Sequence, residues 1–222
     1  MKILQLNLNH CEAAHDLLTQ TVREMDIDVA ILSEPYRNTA DPRSWTSDAS
    51  GRATVWACGR RFVQERPSTP PAGFSWARVD GIYIYSVYAP PSATQGDFED
   101  LLNELAENAR SRRPHIIAGD FNAWATEWGS RETNRRGMAP LDFAASLEAA
   151  LLNTGSTPTF TRDGNSSIID VTFISESLSP RVISWQVSDH CTHNDNQAIV
   201  LEIAAEGKRR TRGVSAPVKW NA

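Results

Sequence analysis

The sequence predicts one α/β domain in which two packed β-sheets carry helices on their outer faces. Three observations lead there. Short apolar runs with a two-residue period alternate with a few segments of helical period, mixing β-meander with β-α-β pieces. At 222 residues and 41% hydrophobic content the chain can bury one sizeable core. No internal repeat divides it.

Ile3 to Leu8 alternates apolar and polar residues, as a strand with one buried face does. Ala14, Leu17, Leu18, Val22 and Met25 then recur at helical spacing, and Asp28 to Leu32 returns to a buried strand. Further strands are predicted at Ala53 to Ala57, Phe74 to Val79 and Gly81 to Tyr88, the last rich in aromatic and β-branched residues. Phe98, Leu101, Leu102 and Leu105 mark a second helix that stops before Pro114. Ile116 to Ala118 is a strand running into Gly119-Asp120. A third helix is predicted over Ala139 to Leu152, its Pro140 tolerated near the N-terminus. Strands at Ile168 to Ile174, Val182 to Val187 and Ala198 to Ile203 complete a domain over 1–205. Residues 206–222 are rich in Lys and Arg without apolar periodicity, and read as a basic flexible tail or linker.

No apolar run approaches a membrane span, and the N-terminus lacks a secretory pattern, so an unsecreted, intracellular chain with no membrane partner is expected. Cys11, Cys58 and Cys191 are widely spaced and odd in number, which predicts reduced thiols rather than a disulfide framework. His190-Cys191-Thr192-His193 is read as a polar loop before a metal site. A net charge of −5 neither requires nor excludes nucleic acid, because carboxylates at a site can coexist with a basic surface around it. There is no Walker loop and no GxGxxG.

Polar residues recur where the strands end. Asn7 and Asn9 close the first strand, Glu34 follows the second, and Tyr88 ends the run from Ile82. Asp120 and Asn122 follow Ile116 to Ala118, Asp170 interrupts Ile168 to Phe173, and Asp195 precedes the last strand. Any one of them has the bland reading of a turn residue. Asp170 is the exception, since an acid among Ile168, Ile169, Val171 and Phe173 needs a partner. Together they offer hard oxygen ligands and amide donors suited to phosphate.

Gln5-Leu6-Asn7, Ser33-Glu34-Pro35, Tyr88-Ala89-Pro90-Pro91, Gly119-Asp120-Phe121-Asn122-Ala123 and Ile169-Asp170-Val171-Thr172 fall in the order of the endonuclease/exonuclease/phosphatase superfamily, which this chain resembles from about Lys2 to Ile203. Trp128-Gly129-Ser130, Asn134-Arg135-Arg136-Gly137, Pro158-Thr159-Phe160 and Ser167-Ile168-Ile169-Asp170 narrow the likeness. They resemble the apurinic-type endonuclease domain of non-LTR retrotransposons, in particular of insect elements that target telomeric or ribosomal repeats. The resemblance implies a four-layered α/β sandwich. It also implies an enzyme that nicks chromosomal DNA in the nucleus, the new 3′-hydroxyl priming reverse transcription by a reverse transcriptase region of the same polyprotein. Glu34 would then hold Mg²⁺ or Mn²⁺ with Asn7, Asn9 and Asp195. Asp120 would orient or deprotonate water, and Asn122 and Tyr88 would contact the scissile phosphate.

One position departs from that pattern. The family places Ser-Asp-His before its last strand, with the His paired to the acid at Asp170; here Asn194-Asp195-Asn196 stands there, and a literal Ser188-Asp189-His190 lies upstream. Spacing to Ala198-Ile199 favours Asp195 and Asn196, with His190 and His193 in reserve. A neutral Asn carries no charge and shuttles no proton. Three other readings follow: a repair enzyme for abasic sites, a DNA-binding module weakened at Asn196, and a lipid or inositol phosphatase that no membrane-seeking segment supports. Trp124 and Trp128 are left open between stacking on DNA and packing in the core.

Overall fold

The computed structural model describes residues 1–205 apart from 40 and 42, and shows two mixed sheets stacked face to face with helices outside both. The first sheet contains β1 (Lys2–Asn7), β2 (Val29–Ser33), β3 (Trp45–Ser47), β4 (Ala53–Ala57), β12 (Val182–Val187) and β13 (Ile199–Ile203), in the order β12-β13-β1-β2-β4-β3. The second contains β5 (Phe74–Val79), β6 (Ile82–Tyr88), β7 (His115–Asp120), β8 (Ala149–Leu151) and β11 (Asp170–Ser175), in the order β5-β6-β7-β11-β8. A separate hairpin pairs β9 (Phe160–Arg162) with β10 (Asn165–Ser167). Each sheet has one β-α-β unit. α1 (Glu12–Glu24) joins the parallel pair β1 and β2, and α2 (Gln95–Arg110) joins the parallel pair β6 and β7.

Three apolar clusters fill the three spaces between four layers. Leu4, Leu6 and Leu8 of β1 face Ala14, Leu18 and Val22 of α1. Ile3, Val29, Ile31, Ile82, Ile84, Ile116 and Leu201 meet between the sheets. Tyr85, Val87 and Phe173 pack under Phe98, Leu102 and Leu105 of α2 and Phe143 of α3 (Arg135–Ser146). The four-layered sandwich implied by the sequence is the one observed.

The third helix corrects its sequence-based bounds. It begins four residues early because the Asn134 side chain caps it, accepting from the Gly137 N–H at 2.9 Å. It stops at Ser146, and Glu148 takes a left-handed φ of 51°. Ala149–Leu151 then leaves helix for strand, pairing with Phe173 to Ser175 of β11. The Ala-rich composition favours helix locally, but the sheet edge offers this segment a hydrogen-bonded ladder and wins. β3, β9 and β10 were not foreseen, being three residues each. The basic segment 206–222 lies outside the described residues.

The space between the sheets changes character along its length. Its inward rows run Ile3-Gln5-Asn7, Val29-Ile31-Ser33, Ile82-Ile84-Ser86-Tyr88, Ile116-Ala118-Asp120 and, reversed, Ile174-Thr172-Asp170. Each begins apolar and ends polar at the same rim. Buried hydrogen bonds cross the gap midway and pair polar groups that would otherwise destabilise the core. Trp185 Nε1 donates to Thr172 Oγ1 at 3.0 Å, Thr172 Oγ1 to Gln5 Oε1 at 2.9 Å, and Gln5 Nε2 to the Gly119 carbonyl at 3.2 Å. Gly119 is required where β6 and β7 lie side by side: a Cβ there would overlap the Val87 carbonyl.

Candidate active site

The polar rim is a site because strand register brings its residues together. Asn7 lies opposite Ser33, one residue before Glu34; Tyr88 lies opposite Asp120, and Asp120 opposite Asp170. Across the gap, Asn7 Nδ2 donates to Asp120 Oδ2 at 2.8 Å and reaches Glu34 Oε2 at 3.5 Å. One amide therefore touches a carboxylate from each sheet. Asn7 Oδ1 in turn accepts from the Asn9 N–H at 2.8 Å.

Local backbone aims these groups. Glu34, Asn9, His10 and Asn122 have left-handed φ of 46°, 47°, 51° and 46°, a conformation uncommon outside glycine that marks tight turns at strand ends. The Glu34 N–H donates to the Arg52 carbonyl at 2.8 Å and its carbonyl accepts from the His10 N–H at 2.9 Å, so the turn cannot rotate freely. The Asn122 N–H donates to Asp120 Oδ1 at 2.9 Å, and its Nδ2 to the Ala89 carbonyl at 3.2 Å, joining the loop after β7 to the loop after β6.

Burial sets the electrostatics. The Asp120 carboxyl is pushed up to about 7 by burial, opposed by the Asn7 and Asn122 hydrogen bonds and reinforced by the Glu34 charge. Asp170 is held well above the ordinary carboxylate range by burial and then by Asp120. Neither of its carboxylate oxygens has a hydrogen-bond partner among the described residues, so a proton is the means of avoiding an uncompensated buried charge. Burial and the neighbouring Glu34 also raise Tyr88, keeping its hydroxyl a donor.

The remaining sequence-selected residues divide. Asn196 is buried beside this cluster's floor: its neighbour Gln197 donates to the Thr159 carbonyl at 2.7 Å, while Thr159 Oγ1 accepts from the Asp170 N–H at 3.2 Å. Its Oδ1 has no partner among the described residues. Asn194 Nδ2 donates to the Asn7 carbonyl at 3.1 Å, which pins the Asn194-Asp195-Asn196 segment to the end of β1. Asp195 is not brought to Glu34; its carboxylate is paired with Arg162 at 2.7 Å. Asn9 is exposed and contributes its backbone N–H to Asn7. Ser188 and His190 hydrogen-bond each other at 2.9 Å, and His190 borders a small gap with Leu17 and Leu18 of α1, on the far face of the first sheet. His193 is exposed.

Several contributors were given no individual role by the sequence, although Thr159 and Arg136 lie within its Pro158-Thr159-Phe160 and Asn134-Arg135-Arg136-Gly137 motifs. His10 Nε2 lies 3.4 Å from Glu34 Oε1. Thr159 supports Asp170, and Arg136 acts as a clamp, donating to the carbonyls of Pro90, Phe121 and Ala93 at 3.2 to 3.4 Å with its guanidinium 4.2 Å above the Phe98 ring. Replacing Arg136 by Ala leaves those carbonyls short of donors and loses the ring contact. Urea unfolding is expected to show a loss of about 2–3 kcal/mol. Trp128 is a core residue, 1% exposed, with Nε1 donating to the Ile168 carbonyl at 3.2 Å; Trp124 is 40% exposed on the loop after Asn122.

The donor set suits a hard divalent cation. Glu34 and Asp120 converge on one amide with oxygen ligands alone, and Asp120 is an acid whose charge burial leaves poorly compensated. No cluster of three or more His, Cys, Asp or Glu is present among the described residues. Mg²⁺ tolerates that, since it is commonly held by one or two carboxylates and completes its shell with water and substrate oxygens.

The sequence profile of the endonuclease–reverse transcriptase family matches residues 82–199, more than half of the chain. The chain belongs to that family. A relative within reach of sequence comparison is a probable RNA-directed DNA polymerase from transposon X-element of Drosophila melanogaster, 29% identical over 157 aligned positions. That match covers 60% of this chain and 16% of the relative, so this endonuclease–reverse transcriptase family member spans a small part of the relative's length. The endonuclease domain of TRAS1, a telomere-specific non-LTR retrotransposon, superposes with a TM-score of 0.78 at 24% identity, covering 91% of this chain and 97% of that one. An AP endonuclease from Archaeoglobus fulgidus gives 0.75 at 13% identity, over 92% and 100% of the two chains. A 3′–5′ exonuclease from Neisseria meningitidis gives 0.72 at 14%, with the same coverage. The family resemblance read from the motifs is thus borne out, and the shared fold is that of nucleases.

Proposed function

We propose that this domain is a divalent-metal-dependent DNA endonuclease that nicks one strand of chromosomal duplex in the nucleus. The nick leaves a 3′-hydroxyl that primes a reverse transcriptase region of the same polyprotein. One observation carries the reading. Asn7 from one sheet holds Glu34 of its own sheet and Asp120 of the other within hydrogen-bond reach, at the rim where Tyr88 and Asn122 also lie. Membership of the endonuclease–reverse transcriptase family and the transposon relative support the substrate and the partner.

The chemistry is in-line attack of water on phosphorus. Asp120, with a carboxyl raised to about 7, takes the water's proton as the P–O bond forms and the bond to the 3′-oxygen breaks, the departing alkoxide taking a proton from solvent to give the 3′-hydroxyl and a 5′-phosphate. Tyr88, kept protonated, and Asn122 donate to the non-bridging oxygens, where charge grows. Glu34 would hold Mg²⁺ or Mn²⁺, with Asn7 as a ligand only once its amide turns its oxygen from the Asn9 N–H toward the ion, and the metal when bound supplies Lewis-acid stabilisation of the same charge. Asp170 holds a proton beneath Asp120 and limits the negative charge of the pair.

Supercoiled plasmid incubated with the protein and Mg²⁺ or Mn²⁺ is expected to yield nicked circles, and EDTA to stop it. An intact oligonucleotide duplex should be cut at least as well as one with an abasic site; strong preference for the abasic duplex would transfer the assignment to repair. Asn196 Oδ1 and the Asp170 carboxylate, without partners among the described residues, favour one second reading, a DNA-binding module with weakened catalysis. That reading predicts salt-sensitive duplex binding without nicking.

A further inference from the structure

Arg52 combines a fixed backbone with an uncommitted charge. Asp48, itself buried, accepts from the N–H groups of Arg52 at 2.7 Å, Ala53 at 2.9 Å, Ser50 at 3.2 Å and Gly73 at 3.1 Å. The turn before β4 is therefore knotted around one carboxylate. The Arg52 carbonyl accepts from the Glu34 N–H, so the residue is anchored directly to the strand end that carries the Glu34 carboxylate. Its side chain is exposed, with the guanidinium carbon 5.9 Å above the Tyr88 ring. It makes no hydrogen bond and no ion pair among the described residues. A cation at that distance from a ring is weakly attracted, enough to bias its position and leave its five N–H groups for another acceptor.

Other arginines of these loops are either engaged or not over Tyr88: Arg131 and Arg135 are exposed without a hydrogen bond or ion pair among the described residues, but only Arg52 is stacked over the Tyr88 ring. Arg136 serves three carbonyls and Arg162 is paired with Asp195. Glu34 and Asp120 bring negative charge to the rim, and among the described residues no Lys or Arg forms an ion pair with either. An unpaired guanidinium at the edge of Tyr88 supplies a cation for a phosphate brought there, since its planar fork matches two non-bridging oxygens of one phosphate.

We propose that Arg52 binds the scissile phosphate from the Tyr88 side, as a substrate-contacting residue of this nuclease. The assignment rests on the phosphodiesterase reading above. It is tested with Arg52→Ala, Arg52→Lys and Asp120→Asn in the full chain, each checked for a wild-type melting temperature. Binding of a fluorescent duplex is titrated against KCl in EDTA, and plasmid nicking is followed in Mn²⁺. One lost phosphate contact should reduce the slope of log K against log[KCl] by about one in Arg52→Ala. Its nicking kcat/KM should fall about 10-fold or more. Arg52→Lys should restore the slope and only part of the rate, because an ammonium cannot fork. A wild-type slope in Arg52→Ala overturns the inference whatever the rate does, and with a reduced rate it marks a role in holding the Glu34 turn. Undiminished nicking in Asp120→Asn sinks the underlying reading and this one with it. Nicking lost in Asp120→Asn but intact in Arg52→Ala sinks this one alone.

Discussion

Asp120→Asn is expected to abolish nicking, with kcat falling on the order of 10²–10⁴, and to leave the protein folded. The amide keeps the shape and retains an acceptor for the Asn122 N–H, but it cannot receive a proton. A pH measurement separates chemistry from structure. Asp120 is raised to about 7 in the fold, against an unfolded value of about 3.9. A raised folded-state pKa means that the native chain holds an extra proton between those values. Its stabilising effect is complete below about pH 4 and is lost as pH rises toward 7. In EDTA, the melting temperature of the wild type should fall over that window more than that of Asp120→Asn. A variant that melts far below wild type at every pH would show instead that the carboxyl was holding Asn7 and the loop after β7 in place.

Asn196→His is expected to raise nicking, by up to about 10²-fold, if the residue lacking at this position is a transition-state donor. The structure supplies a reason beyond family pattern. Asn196 is 2% exposed and its Oδ1 has no partner among the described residues, while Asp170, linked to the same stretch through Thr159, has two unpartnered oxygens. An imidazole can donate to a carboxylate with one nitrogen and serve phosphate with the other. The bulk of the ring is a cost in so closed a place, so the rate must be read together with the melting temperature. A stably folded Asn196→His variant with unchanged nicking would mean that this site does not use a group there.

Much of the rim could be read from sequence because each residue follows a run that announces its strand. Asn7, Glu34, Tyr88 and Asp120 are strand-end residues, and the runs from Ile3, Val29, Ile82 and Ile116 have unambiguous patterns. Their convergence depends on register, which the patterns did not fix. Asp195 illustrates the limit: its sequence position suggests the acidic cluster, but a hairpin contact with Arg162, 33 residues away, claims the carboxylate. His10 and Arg52 could not be given individual roles, for the converse reason. Each lies in a turn of unremarkable composition, and its proximity to Glu34 or Tyr88 arises only when the chain has closed. The short β8 was hidden because Ala149 to Leu151 suits a helix by itself and becomes a strand only against β11. Trp124 and Trp128 could not be told apart by type; burial distinguished them.

The two β-α-β units have a bearing on the life of the chain before it is complete. Glu34 comes with the first unit and Asp120 with the second, and Asn7 spans them only when the sheets are stacked. β1 also needs β13, the last strand among the described residues, to complete its pairing. A polypeptide that has finished only one unit therefore holds half of the rim. The paired rim is thus a product of the stacked sheets, and its assembly is tied to the folding of both units together.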